Sequence, residues 1–235
     1  MAIKLKRDYD SKGIISAGAM ICVYDDTLAK YILLVPTTDM PAGPGAPDTI
    51  DNPILTTSYI GQVEGKQTLE QKEYTINWSR DNIRRLNKYS GKPLSFLEID
   101  GQEYTGRKFN GTLTFDKDSY TDNAIMPGKV WITVTEDLGY VDDVRDIYAE
   151  TAIITSPLAE QVITGTATAT VSLKTSPNAT VTATSEAPSV ATATINATSG
   201  NLEITGVAAG HTIIKLVCSA TDEAPSERTI LVTVL

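Results

Sequence analysis

Residues 184–214 read TSEAPSVATATINATSGNLEITGVAAGHTII. Apolar and polar residues alternate over 190–195, again over 202–207, and again over 211–217. A period of two is the signature of a half-buried strand. Ser199-Gly200-Asn201 and Ala209-Gly210 punctuate the runs, and both are turn signals. Three consecutive strands joined by short turns are therefore predicted.

The same pattern extends in both directions. Residues 166–173, 179–183 and 228–235 are strand-sized alternating runs. Ser176-Pro177-Asn178, Ala187-Pro188-Ser189 and Ala224-Pro225-Ser226 separate them. Six or seven short strands in so short a stretch predict a β-sandwich. Its core must be built from Val, Ile, Leu and Ala, because residues 151–235 contain no aromatic side chain. All two Trp, ten Tyr and three Phe lie at or before Tyr148. Charge changes at the same place: residues 1–150 carry 17 Lys+Arg against 23 Asp+Glu, and residues 151–235 carry 3 against 6. Ala and Thr fill 32 of the last 85 positions. Two domains are expected, 1–152 and 161–235, joined by a linker at 153–160 that contains Ser156-Pro157.

The first half also reads as mostly strand. Residues 14–24 and 30–35 are apolar runs, and 72–78 alternates with Tyr74, Ile76 and Trp78 on one face. Residues 94–99 lead into Asp100-Gly101, and 103–109 lead into Asn110-Gly111. Both dipeptides predict tight hairpin turns, with 112–116 continuing the meander. Another strand is predicted at 130–135. One helix is predicted from Arg80 to about Tyr89, capped by Ser79 and stopped by Gly91-Lys92-Pro93. Ile83, Leu86 and Tyr89 face inward in that reading, and Arg84, Arg85 and Lys88 form an outward, solvated basic face. Residues 36–53 hold five prolines and two glycines and are expected to be neither strand nor helix. A loop that long is either functional or disordered. Met40, Pro41, Gly43, Pro44, Gly45, Pro47, Asp48 and Asp51 are its candidate contact residues.

Little in the chain points to catalysis. His211 is the only histidine and follows Gly210 at a strand start, where a turn-edge role is the ordinary one. No Cys/His cluster suits zinc. No phosphate-cradling glycine motif occurs. Residues 116–123 begin like a calcium loop but lack its sixth-position glycine. No catalytic, cofactor or metal residue is assigned. The net charge of −9 argues against a nucleic-acid grip. Cys22 and Cys218 are expected in different domains as buried free thiols. No apolar run is long enough to span a membrane. Residues 14–23 imitate a secretory signal, but acidic residues interrupt the basic region before them, so a buried strand is expected instead.

Residues 184–194 and 200–214 resemble the bacterial Ig-like domain of group 2. The resemblance rests on the P-S-V-A-T entry at Pro188, Ser189 and Val190, followed by Gly200, Ile204, Gly206, Val207 and Gly210 in the G-x-(V/I)-T-G-V-x-x-G hairpin pattern. In that reading Ile204, Val207, Ile213 and Leu216 fill one sheet face. Ala183 stands near where the family often has a Trp. Residues 1–152 are similar in order and style to a major tail tube protein of long non-contractile-tailed bacteriophages. The elements that carry this are the long Pro/Gly loop, the 63–70 segment leading into the 74–78 strand, the single helix, and Phe109-Asn110-Gly111-Thr112-Leu113.

These resemblances imply a mainly β protein, a tail-tube-like β-sandwich or barrel with one short helix followed by an Ig-like sandwich. They imply a non-enzymatic virion protein assembled in the bacterial host cytoplasm. Homo-oligomeric, hexameric rings would stack into the tail tube, with double-stranded viral DNA passing through unbound. Tape measure and tail terminator proteins are the implied partners. The long loop would reach the next ring, and the Ig-like domain would sit outside, available to host surface glycan. No membrane insertion is implied. The alternative is a cell-surface or adhesin-like module whose Ig-like domain engages glycan or protein.

Overall fold

A computed structural model describes residues 19–41, 49–53, 60–64, 69, 71–100, 104–119 and 125–235. The chain is mainly β, with one helix among the described residues. The elements of the first half are β1 (Ala19–Asp25), β2 (Lys30–Val35), β3 (Thr49–Pro53), β4 (Ile60–Glu64), β5 (Gln71–Asn77), α1 (Arg80–Asn87), β6 (Pro93–Asp100), β7 (Gly106–Lys117) and β8 (Pro127–Val141). Six of the strands form one antiparallel sheet in the order β2-β1-β6-β7-β8-β5. Its outer strands meet. Thr37, just past β2, pairs with Ile76 of β5. The Thr38 amide donates to the Thr75 carbonyl at 2.8 Å. The sheet thus curls round on itself into a barrel, which removes most of its free edge.

Alternation decides what enters the barrel. Ile21 and Val23, Tyr74 and Ile76, and Val130 and Ile132 point inward and are buried. The opposite parity on β1 and β6 is buried too: Cys22, Leu97 and Ile99 pack with Tyr31, Val144 and Tyr148 outside the barrel wall. α1 begins at Ser79, whose side chain accepts from the Asn82 amide, and it drives Leu86 into the core.

The second half contains β9 (Gln161–Ile163), β10 (Thr168–Val171), β11 (Thr180–Ser185), β12 (Ala191–Ile195), β13 (Leu202–Gly206), β14 (Gly210–Ser219) and β15 (Ser226–Val234). They make two sheets, β10-β13-β12 and β11-β14-β15-β9. These face each other as a β-sandwich around Ala191, Leu202, Ile204, Ile214, Leu216, Cys218, Ile230 and Val232. β9 runs parallel to β15, with Gln161 opposite Val232. No strand was predicted there, because three residues are too short to show a period.

Four expectations are corrected. Asn110-Gly111 is not a hairpin turn: β7 runs straight through it, with a register shift against β8 between the two residues. The glycine serves close approach instead, since a Cβ on Gly111 would lie 2.6 Å from the Thr133 carbonyl oxygen. The proline-rich segment 36–53 is not wholly loop. Its last five residues form β3, and Pro53 stands at the strand end, opposite Ile60 in the terminal pair. Val207 does not fill a sheet face, being 50% exposed, and on β14 it is Ile214, not Ile213, that is fully buried. β8 also extends beyond the predicted 130–135, because its charged end pairs with the start of β7.

Candidate functional site

Two surfaces stand out; the candidate residues lie on or near the first and at a corner of the sandwich. The first is the ribbon of β3 and β4, whose strands pair antiparallel with each other and, among the described residues, with no third strand. The candidate residue Asp51 lies on it, opposite Gln62. Met40 is anchored elsewhere: it packs against the barrel core and lies 3.5 Å from the Thr37 hydroxyl. Pro41 follows it, half-buried. Gly43, Pro44, Gly45, Pro47 and Asp48 lie outside the described residues.

The motif residues of the second half converge on Val190. Its amide donates to the Ala187 carbonyl at 2.9 Å across Pro188 and Ser189. Its own carbonyl accepts from the amides of Val207 at 2.8 Å and Ala208 at 3.2 Å. Gly210, at φ +149, leaves room for the Val190 side chain, which a Cβ there would meet at 3.3 Å. Gly206 is closer still, since a Cβ would lie 2.1 Å from the Gly165 carbonyl oxygen. Gly200 holds φ +70 in the turn before β13. Ile204 is buried. These residues build a corner of the sandwich. His211 is exposed, its Nδ1 2.9 Å from the Thr233 hydroxyl.

The second surface is the seam between the halves, and the sequence reading missed it. Asp81, Arg84 and Lys88 recur at helical spacing and share one face of α1. That face meets the sandwich, which corrects in part the expected solvated basic cluster: Arg84 is 30% exposed, while Lys88 remains 54% exposed. Asp81 accepts from Arg228 Nε at 2.9 Å and from the Thr229 hydroxyl at 2.6 Å. Arg84 pairs with Glu186. Glu227 receives Lys88 at 3.1 Å, Lys215 at 2.8 Å and Arg84 at 3.8 Å. Burial pushes the Asp81 carboxyl up, with Thr229 opposing. Burial also pulls Glu227 upward, but the hydrogen bonds of Lys215 and Lys88 outweigh it and hold that carboxyl below its usual range.

The chain between the halves is strapped to both. Tyr31 exchanges backbone hydrogen bonds with Ile147 at 2.8 Å and Ala149 at 2.9 Å. Ala224 does the same with Glu150 at 2.7 Å and Ala152 at 2.8 Å. The Ser226 hydroxyl donates to the Ala152 carbonyl. Ile153 and Ile154 are buried. Ala224, from the second half, packs within the barrel core cluster.

A second polar cluster lies inside the barrel. Lys72 Nζ reaches Glu98 Oε1 at 3.0 Å and Oε2 at 2.8 Å, and the Tyr74 hydroxyl donates to Glu98 Oε1 at 2.6 Å. Lys72 also lies over the Phe109 ring, 5.2 Å from its centroid. Burial, then the Glu98 charge, pushes the Tyr74 phenol far up. Lys72 has the parity of Tyr74 and Ile76, which is the signal that could have placed it inside. Among the described residues no three His, Cys, Asp or Glu side chains converge as a metal site. No protein-family model matches the chain, and no curated protein matches it.

Proposed function

We propose that this chain is a structural subunit that works by self-association, stacking as hexameric rings into the tail tube of a long-tailed bacteriophage. The observation that carries the reading is the β3–β4 ribbon. A two-stranded ribbon is marginal in water on its own, and its outer edges offer unpaired ladder groups among the described strands. A neighbouring copy completes such edges at no cost in new fold, and ring symmetry repeats the contact on every subunit. The barrel's own edges are largely used within the chain, so the ribbon and the segment before it are the assembly elements. In this reading the subunit has no catalytic role. Its acidic first half suits a conduit, because each Lys or Arg facing phosphate would add affinity for passing DNA. The Ig-like second half decorates the outside.

A second reading, a glycan-binding surface module, draws on one observation. Thr168, Thr205 and Thr192 form one cross-strand row on the outer face of the three-stranded sheet, and Thr170, Glu203 and Thr194 form the next. Such a hydroxyl array suits hydrogen bonding to sugar. Sedimentation velocity over a wide concentration range separates the two. Species near six times the 25.3 kDa chain mass, growing into larger polymers, support assembly. A monomer at every concentration contradicts it.

A further inference from the structure

Five cations meet at the seam, with Glu150 and Glu223 flanking in sequence the cavity-lining Thr151 and Ala224. Arg84, Arg85, Lys88, Lys215 and Arg228 gather around Asp81, Glu186 and Glu227, although the whole chain carries −9. A cavity of about 110 Å³ opens there between α1, β2 and the turn before β15. A water occupies roughly 30 Å³ of liquid, so the space fits a few waters or one small oxyanion.

The acids lining the cavity are already engaged. Both Asp81 oxygens are taken, by Thr229 and Arg228, and both Glu227 oxygens by Arg84, Lys88 and Lys215. Two donors in the same wall are not. Among the described residues the Arg85 side chain lines the cavity and makes no hydrogen bond or close ion pair, its charge acting on Asp81 and Tyr89 only from a distance, and a guanidinium is satisfied only by an acceptor. Thr151 is 8% exposed, and its hydroxyl makes no hydrogen bond of ordinary geometry; its one polar neighbour is the Tyr148 phenol. An unpaired buried hydroxyl is costly enough that native structures seldom leave one without reason. Arg85 comes from the helix and Thr151 from the strap between the halves, so one acceptor serving both would tie two parts of the fold together.

We propose that this cavity binds one small inorganic oxyanion of the phosphate type, with Arg85 and Thr151 as donors and Lys88 adding charge. The ligand spans the seam and stabilises the docked arrangement by mass action. The site does not depend on the assembly reading and stands or falls separately from it.

The test is calorimetric titration of the full chain with inorganic phosphate, in chloride buffer at constant ionic strength. One saturable site per chain is expected. Arg85→Gln weakens it about tenfold or more, Arg85→Lys retains part of it, and Thr151→Val weakens it severalfold, which is the scale of losing one donor to a charged ligand. Circular dichroism checks that each variant is folded. An absence of saturable heat up to about 10 mM phosphate, where a Kd of 1 mM is already visible, overturns the proposal. Phosphate binding that Arg85→Gln and Thr151→Val both leave unchanged overturns it equally.

Discussion

The Asp81 carboxylate on the only described helix accepts a 2.6 Å hydrogen bond from the Thr229 hydroxyl on the last strand. With Arg228 bound to the second oxygen, this carboxylate joins the two halves of the chain directly. The sandwich is therefore docked on the barrel by named contacts, and the seam is a site where single substitutions act on both halves.

Asp81→Ala takes from the partly buried Arg228 the hydrogen bond its Nε makes across the seam. A loss of about 1–3 kcal/mol is expected, the scale of stranding a hydrogen-bonded charge. Urea unfolding followed by the fluorescence of Trp78 and Trp131 measures it. If the seam were mechanically irrelevant, Asp81→Ala would match the wild type within error.

The acid dependence of the seam follows from two carboxyls with opposite shifts. Glu227 is held below its usual range, so its contribution is present above the unfolded carboxylate pKa and disappears as pH falls through the folded value. Asp81 is pushed up, so the folded state takes its proton more readily and this group's contribution falls as pH rises through that window. Glu227→Gln should flatten the loss of stability on acidification below about pH 4.5, and Asp81→Asn should steepen it. Unfolding free energies measured between pH 3 and pH 7 decide the sign of each.

Inside the barrel, Lys72 and Glu98 side chains are only 10% and 9% exposed. Removing one partner strands a buried charge and typically costs about 3–5 kcal/mol, whereas replacing both with apolar residues is often close to neutral. Lys72→Met and Glu98→Leu should each destabilise strongly, and the double variant should recover most of the loss. Additive losses in the double variant would show that the pair does not act as a unit.

Gly111→Ala puts a methyl 2.6 Å from the Thr133 carbonyl oxygen. That atom is backbone and cannot swing away, so β7 and β8 must separate, at a cost of about 1–3 kcal/mol. Thermal unfolding tests this. A neutral Gly111→Ala would mean that the bulge relaxes freely.

The fold was legible in the sequence at some of these residues and not at others. Residues 30–35 form β2 with the predicted bounds, because an uninterrupted apolar run between turn signals has few alternatives. The strands around residues 190–217 were equally readable from their alternation. Asn110-Gly111 misled because a dipeptide that favours a turn is also what a strand needs where a neighbouring carbonyl comes close. The five prolines of 36–53 were weighed together, although none of them falls within 49–52, the four residues that pair with β4 before Pro53. The seam was invisible for a different reason. Arg84 and Lys88 look solvated on any helical projection, since their acids, Glu186 and Glu227, lie over a hundred residues later in the chain. Lys72 escaped notice because a charge is not ordinarily assigned to the apolar parity of a strand.

The central claim is that copies of this chain build a polymer through the β3–β4 ribbon. Negative-stain electron microscopy of the purified full chain, beside a variant lacking residues 49–64, tests it most directly. The account predicts rings stacked into tubes for the full chain, and a folded variant that does not stack. Isolated single-chain particles from the full chain, or tubes of unchanged length from the variant, would contradict it.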